Sequence, residues 1–295
     1  MTARYATLSE LRSALAARGI HPRHALGQHF LVDLNLLRCV AEAGEIEPRD
    51  VVLEVGCAGG ALTALLSERA CAVVAAEIDP ALADLADEAL DCLPNVRLVR
   101  GDALGARGHL SRELRQAVAS ALAAAPGARL KLVANLPYGI ATAVMKAMLL
   151  HGPRPALIAA TVQREVADRM AAPAGHHAYG LLSVLLQCQG TVERLRTLRP
   201  TVFWPRPKVS SALVRVRLLD APPVDPAALV RVAGKLFEQR RKQVAKAMQI
   251  GRLAEDAGAA AALCAETGMD PHGRPGDVPA EAFVRLVRLL AKEKG

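Results

Sequence analysis

The chain has 295 residues, is 52% hydrophobic and carries a formal net charge of +8. That length suits one large domain or one domain plus a smaller one, and no run reaches the roughly 18 consecutive apolar residues of a membrane span. The six cysteines form no C-x-x-C pair and none sits at zinc spacing from a histidine, so free thiols in a reducing cytoplasm are expected and a metal centre is not.

The first 35 residues read as a charged, helix-like arm without the apolar core of a secretory signal. The arm runs into "ALGQHFLVD". Strand candidates follow: "VVLEV" (51–55), "AVVAAEI" (72–78), "VRLVR" (96–100), "LKLVAN" (130–135) and "ALIAATVQ" (156–163). They are apolar nearly throughout and are separated by segments of helical length, which implies a parallel sheet covered on both faces. "TVERLRTL" (191–198) and "SALVRVRL" (211–218) have no helix-length segment between them and are expected to add an antiparallel pair at one edge. The chain breaks at "LLDAPPVDP" (218–226), and only helical patterning follows. The expected organisation is an α/β domain over residues 1–220, Rossmann-like with an antiparallel edge, and a small all-helical domain over residues 221–295.

The first strand joins its helix through a glycine-rich turn, "VVLEVGCAGGALTALL", where backbone can approach a ligand closely and the helix N-terminus offers free N–H groups. Glu77 ends the second strand about 20 residues later, where an acid accepts from ribose hydroxyls. Asp102 follows the third strand in "RGDAL", placed to accept from an adenine amino group. The glycines at 56, 59 and 60 do not match G-x-G-x-x-G. The three features in register point to a nucleoside-containing cofactor without choosing between hydride and methyl transfer.

The fourth strand ends in "NLPYG" (135–139), at the same sheet edge as the cofactor elements. As an isolated stretch it is a turn. In this place it has the parts needed to methylate an exocyclic adenine N6, a poor nucleophile because its lone pair is delocalised into the ring. The Asn135 side-chain carbonyl and the Leu136 backbone carbonyl, held by Pro137, are candidate acceptors for the two N6 hydrogens. Tyr138 can stack on a base taken out of its helix. Such a site works by positioning and needs no general base.

Charge is concentrated between Arg231 and Arg252, where seven basic residues face one acid, Glu238, so 22 residues carry +6 of the +8. Arg240, Arg241 and Lys242 form the densest run and are candidate RNA contacts, against the plainer reading of a solvated helix face. Lys208 in "PRPK" is a further candidate phosphate contact. Trp204, Pro205 and Pro207 are expected to fix the loop that carries Phe203. His176 and His177 have no nearby Cys or acidic ligands and read as a loop near the RNA or substrate rather than a metal site.

The stretches "LGQHFLVDLNLL", "VLEVG", "AEIDP", "GDAL", "NLPYGIAT", "VQREVADRM", "YGLLSVLLQ", "VFWPRPKVSSALV" and "FEQRRK" occur in that order. Over nearly its whole length the chain resembles the small-subunit ribosomal RNA adenine N6,N6-dimethyltransferase family. The resemblance implies a class I S-adenosylmethionine-dependent methyltransferase fold with a C-terminal helical domain. It implies S-adenosylmethionine as methyl donor and, as target, two adjacent adenosines near the 3′ end of small-subunit rRNA within a pre-ribosomal particle. It also implies cofactor contacts at His29, Leu31, Gly56, Ala58, Glu77, Asp102 and Asn135, a target-base contact at Phe203 opposite Tyr138, and an "RRK" helix on the rRNA-binding surface. A monomer is expected.

Three departures stand out. Ala58 replaces the middle glycine of the family's G-P-G-x-G turn, His29 stands where Asn is common, and "QVAKAM" follows "RRK". If position 58 needs a positive φ, Ala costs roughly 1–2 kcal/mol there. Two other readings therefore stay open: a weakly active or inactive rRNA-binding assembly factor, and a methyltransferase acting on large-subunit rRNA.

Overall fold

The structure, a computed structural model, describes residues 4, 5 and 7–292. Among the described residues nine strands form: β1 (Phe30–Leu31), β2 (Val51–Val55), β3 (Ala72–Glu77), β4 (Val96–Arg100), β5 (Leu130–Asn135), β6 (Leu157–Gln163), β7 (Gly190–Leu198), β8 (Phe203–Trp204) and β9 (Ser211–Leu218). The helices are α1 (Leu8–Ala17), α2 (Leu34–Ala43), α3 (Ala61–Ser67), α4 (Pro80–Leu90), α5 (Arg112–Ala124), α6 (Ala141–His151), α7 (Arg164–Ala171), α8 (Leu181–Gln187), α9 (Pro226–Glu238), α10 (Val244–Ile250), α11 (Ala257–Thr267) and α12 (Ala280–Lys292). None of the described helices is long and apolar enough to cross a membrane.

The main sheet has seven strands in the order β4-β3-β2-β5-β6-β9-β7. The first five run parallel, and β9 pairs antiparallel with β6 from Leu157↔Arg217 to Gln163↔Ser211. β2 is buried at every position, as a strand covered on both faces must be, whereas the edge strands β4 and β7 alternate with exposed residues. β9 lies between β6 and β7, so the two runs expected at one edge do form that edge, with the later one inside. β1 and β8 make a separate two-stranded ladder, Phe30↔Trp204 and Leu31↔Phe203, too short to leave a periodic signal.

The chain divides into two compact units. The first holds the chain up to Ala167 with Glu193–Arg217, and the second holds Asp168–Val192 with the chain from Leu218 onward. The second unit is thus discontinuous in sequence and takes α8 as well as α9–α12. α9 starts at Pro226 because the Asp225 carboxylate caps it, accepting from Ala227 N–H (3.2 Å) and Ala228 N–H (3.0 Å). The interior of this unit is anchored on aromatic rings. Phe237 stacks on Phe283 with centroids 5.7 Å apart, Tyr179 meets Phe237 edge-on at 6.1 Å, and the Tyr179 hydroxyl donates to Val278 O at 3.0 Å.

The first unit contains a buried ion pair. Lys131 Nζ lies 2.7 Å from Asp50 Oδ2, with side chains 6% and 2% exposed. Lys131 also donates to the Glu45 carbonyl, and Asp50 accepts from Glu47 N–H at 2.7 Å, so both charges are paired and hydrogen-bonded. Removing one partner strands the other charge. Lys131→Met should lower unfolding free energy by roughly 3–5 kcal/mol. The double variant Lys131→Met/Asp50→Asn should recover most of that loss. Urea unfolding of both variants checks this; equal losses in the two would show that the pair is not the source.

Candidate active site

The carboxyl ends of β2, β3 and β5 open into a cavity of about 290 Å³. His29, Leu31, Gly56, Ala58, Glu77, Asp102 and Asn135, the seven positions expected at a cofactor, all line it, as do Pro137 and Tyr138. Phe203 does not: its ring is 3% exposed and packs in the core cluster with Leu31, Leu36 and Leu37. The β1–β8 ladder sets it opposite Leu31 and turns it inward.

Ala58 adopts φ +50°, inside the left-handed region. In that conformation its N–H donates to Glu77 Oε2 at 2.9 Å, while Asp79 N–H donates to Oε1 at 3.0 Å. Each Glu77 oxygen keeps acceptor capacity for a further donor, as a ribose hydroxyl would require. Burial raises the Glu77 pKa, and the backbone N–H groups of Asp79 and Ala58 pull it back. Asp102 is exposed at the rim, with Oδ1 accepting from Leu104 N–H at 2.8 Å.

The acceptor segment is held on several sides. Asn135 Nδ2 donates to His29 O at 3.0 Å, and the Thr161 hydroxyl donates to Asn135 Oδ1. Thr161 is the β6 residue directly in register with Asn135. A carbonyl oxygen has two lone pairs, so Oδ1 retains one. The Tyr138 hydroxyl bonds Ser211 Oγ, and its ring lies 4.8 Å from that of His29. His29 Nδ1 in turn lies 2.7 Å from Pro205 O.

Further residues line the cavity. Ile78 is 41% exposed next to Glu77, an apolar side chain left open where the cavity needs a flat wall. Gln28 is buried, its Nε2 donating to Asp79 Oδ2 at 3.0 Å and its Oε1 accepting from Arg23 N–H at 2.6 Å, which ties the N-terminal arm to the start of α4. Tyr5 and Leu11 of the arm line the cavity too. Glu54 was visible only as part of a strand. It is 2% exposed, and its Oε2 accepts from Thr63 Oγ1 at 2.6 Å. Burial pushes its pKa up to about 8, so it is largely neutral at pH 7.

The residues present fit an adenosyl cofactor: a buried acid with spare acceptors, a turn with no side chain at Gly56, and an exposed apolar side chain beside the acid. Among the described residues no group of three or more His, Cys, Asp or Glu could hold a metal ion.

The model of the family "Ribosomal RNA adenine dimethylase" matches residues 20–292. The chain belongs to the ribosomal RNA adenine dimethylase family. Similar proteins include those named "Ribosomal RNA small subunit methyltransferase A" from Nocardia farcinica, 40% identical over 94% of this chain and 93% of that protein, and from Phenylobacterium zucineum, 36% identical over 95% and 92%. Among solved structures, the 23S rRNA methyltransferase ErmE aligns over 89% of this chain and 99% of its own with a TM-score of 0.65 at 26% identity. A dimethyladenosine transferase from Plasmodium falciparum shares the fold, with a TM-score of 0.69 over 88% of this chain and 96% of its own, at 19% identity.

In this dimethylase the basic triplet sits differently from expectation. α9 ends at Glu238, and Arg240, Arg241 and Lys242 occupy the exposed link before α10 rather than a helix face. Lys208 is exposed in the loop after β8. His176 and His177 lie in an exposed loop between α7 and α8.

Two outcomes follow from the cavity floor. Ala58→Gly removes left-handed strain of roughly 1–2 kcal/mol and adds unfolded-state entropy of about 0.4–1 kcal/mol. Stability should stay level or rise by up to ~1 kcal/mol in urea unfolding, with cofactor affinity no weaker by calorimetry; a clear loss of stability would contradict the left-handed geometry. Glu54 gives a pH signature. Its folded pKa is raised, so its contribution to stability is complete below the ordinary value of 4.5 and is lost as pH rises through about 8. At ~1.4 kcal/mol per pH unit the loss is a few kcal/mol. Glu54→Gln, which keeps the neutral shape, should flatten stability between pH 5 and pH 8; an unchanged slope would place the titration elsewhere.

Proposed function

We propose that this enzyme transfers methyl groups from S-adenosylmethionine to N6 of two adjacent adenosines near the 3′ end of small-subunit rRNA, giving N6,N6-dimethyladenosine during ribosome assembly in the cytoplasm. The observation that carries the reading is that Asn135, Pro137 and Tyr138 line the same cavity as Glu77. When bound, S-adenosylmethionine supplies an electron-poor methyl group on a sulfonium. Glu77 would hold the ribose hydroxyls, Asp102 the adenine amino group of the cofactor, and Ile78 the ring face. Asn135 Oδ1, with its remaining lone pair, and the Leu136 carbonyl would accept the two N6 hydrogens and leave the nitrogen lone pair toward the donor. Tyr138 would offset the cost of unstacking the target base by about 1–3 kcal/mol.

The relatives named for the small subunit are 36–40% identical to this chain, against 26% for the 23S enzyme, which favours the small-subunit target. Ala58 reaches the left-handed conformation and keeps its N–H on Glu77, which favours an active enzyme over an assembly factor alone. The protein is read as acting alone, as a monomer, on the rRNA of a pre-ribosomal small subunit.

Asn135→Ala removes one N6 acceptor and leaves the basic link intact. It should lower methyl transfer at least a hundredfold while under-methylated small subunits still bind. Reversing Arg240, Arg241 and Lys242 to Glu should spare S-adenosylmethionine binding and weaken subunit binding. It should also flatten the salt dependence by about 0.7–0.9 log–log units per lost phosphate contact. Labelled methyl transfer with identification of the modified nucleoside, run beside both binding assays, decides. Normal methylation by Asn135→Ala would return 135–139 to being a turn, and a wild type that binds subunits without methylating them would leave only the assembly role.

A further inference from the structure

A flat base needs only a ring to stack on, and phenylalanine supplies one. Position 138 carries a tyrosine instead, whose hydroxyl is costly in a half-buried place unless it is hydrogen-bonded. Its partner is the hydroxyl of Ser211, a wholly buried residue at the start of β9. Ser211 lies opposite Gln163 of β6 in the ladder, and Arg164 N–H donates to Ser210 O at 2.9 Å, which fixes the serine backbone. Burial raises the Tyr138 pKa and the Ser211 bond offsets this only in part, so the phenol stays protonated at neutral pH and serves as an anchor, not a base.

The same two strands hold the other end of the acceptor segment. Thr161, on β6 and also wholly buried, donates its hydroxyl to Asn135 Oδ1. Asn135 and Tyr138, the first and last residues of the segment, thus each rest on a buried hydroxyl from the β6–β9 pair. A third support comes from the N-terminal arm and the loop after β8. The His29 ring packs against that of Tyr138, with centroids 4.8 Å apart and planes tilted by 41°, and its Nδ1 donates to Pro205 O at 2.7 Å. The Tyr138 ring is therefore fixed at its hydroxyl tip and along its side before any base arrives.

We propose that Ser211 is a positioning residue for the target base, acting through the Tyr138 hydroxyl, and that the second methyl transfer depends on it more than the first. The inference rests on the N6 dimethylation proposed above. Each transfer forms a nitrogen–carbon bond, breaks the sulfonium–carbon bond of the donor and releases one N6 proton to water. Before the first transfer N6 has two hydrogens, one for Asn135 Oδ1 and one for the Leu136 carbonyl. After it, N6 has one hydrogen and a methyl group, and one acceptor contact is gone. The ring then carries a larger share of the orientation, so a ring free to swing costs the second transfer more.

The test uses the full-length protein, under-methylated small subunits and S-adenosylmethionine, with N6-methyladenosine and N6,N6-dimethyladenosine measured separately. Ser211→Ala and Tyr138→Phe remove the same bond from its two ends. Each should lower kcat for the dimethylated product about tenfold with little change in KM, and each should build up monomethyladenosine that wild type does not. The double variant should do no worse than either single one, because the bond is already lost. Affinity for S-adenosylmethionine by calorimetry should match wild type in all three. A serine that only packs β9 would lower both products in proportion, through less folded protein, and Tyr138→Phe would not copy it. A wild-type ratio of mono- to dimethyladenosine in Ser211→Ala or in Tyr138→Phe, or losses that multiply in the double variant, overturns the positioning role while N6 dimethylation stands. A wild type that forms no methyladenosine overturns both.

Discussion

Two glycines let three chain segments meet where no side chain could fit. A Cβ on Gly56 would sit 2.7 Å from Pro137 Cγ, and one on Gly27 would sit 2.4 Å from the Tyr138 carbonyl oxygen. Both residues hold positive φ, +80° and +64°, so a substitution would add backbone strain to a direct clash. The cofactor turn, the N-terminal arm and the acceptor segment are therefore one packed body. The hydrogen bonds of the site depend on this approach: Asn135 reaches His29 O only because the arm is drawn against the end of β5, and Ala58 reaches Glu77 only because the turn bends left-handed just after Gly56.

The same compaction creates an electrostatic problem at the cavity floor. Glu54, one residue before the end of β2, pairs with Ala75, so Glu77 at the end of β3 lies two residues beyond its partner, and both acids are nearly inaccessible to water. Two buried carboxylates so placed cannot both ionise cheaply. The structure resolves the conflict by environment. Glu77 has two backbone N–H donors that support its charge, whereas Glu54 has only the Thr63 hydroxyl and takes up a proton instead. The acid with two backbone donors is the one proposed to hold the cofactor ribose.

Much of this was legible in the sequence, and the parts that were not share a physical reason. β2, β3, β5 and β6 are buried almost throughout, so hydrophobic runs marked them within a residue of their ends. Gly56, Glu77, Asp102 and Asn135 were legible because parallel strands bring their carboxyl ends to one edge, whereas His29 and Leu31 came only from the resemblance to the family. β1 and β8 were invisible because two residues have no period. The inward turn of Phe203 followed from the pairing of those two strands, so it was hidden with them. The grouping of Asp168–Val192 with the C-terminal unit was equally hidden, since the helical pattern of α8 reads the same whichever core it joins. The polar links of Gln28 to Asp79 and Asn135 to Thr161 join residues 51 and 26 positions apart, and no local pattern encodes such partners.

The Asn135 amide shows how a site without a tuned base can still be specific. Its Nδ2 faces the His29 carbonyl, and a flipped amide would set oxygen against oxygen there. The orientation is thus fixed by a backbone acceptor that cannot itself become a donor, and Oδ1 is held toward Thr161. The Thr161 hydroxyl takes one lone pair and leaves the other in a fixed direction. On the proposed mechanism, an acceptor already oriented before substrate arrives would need no reorganisation when the N6 hydrogens come to it, which is where a positioning enzyme gains its rate. Thr161, wholly buried on the adjacent strand, is in this sense part of the site although it touches neither ligand, and a strand-end asparagine without such a partner would be only the turn that its local sequence suggests.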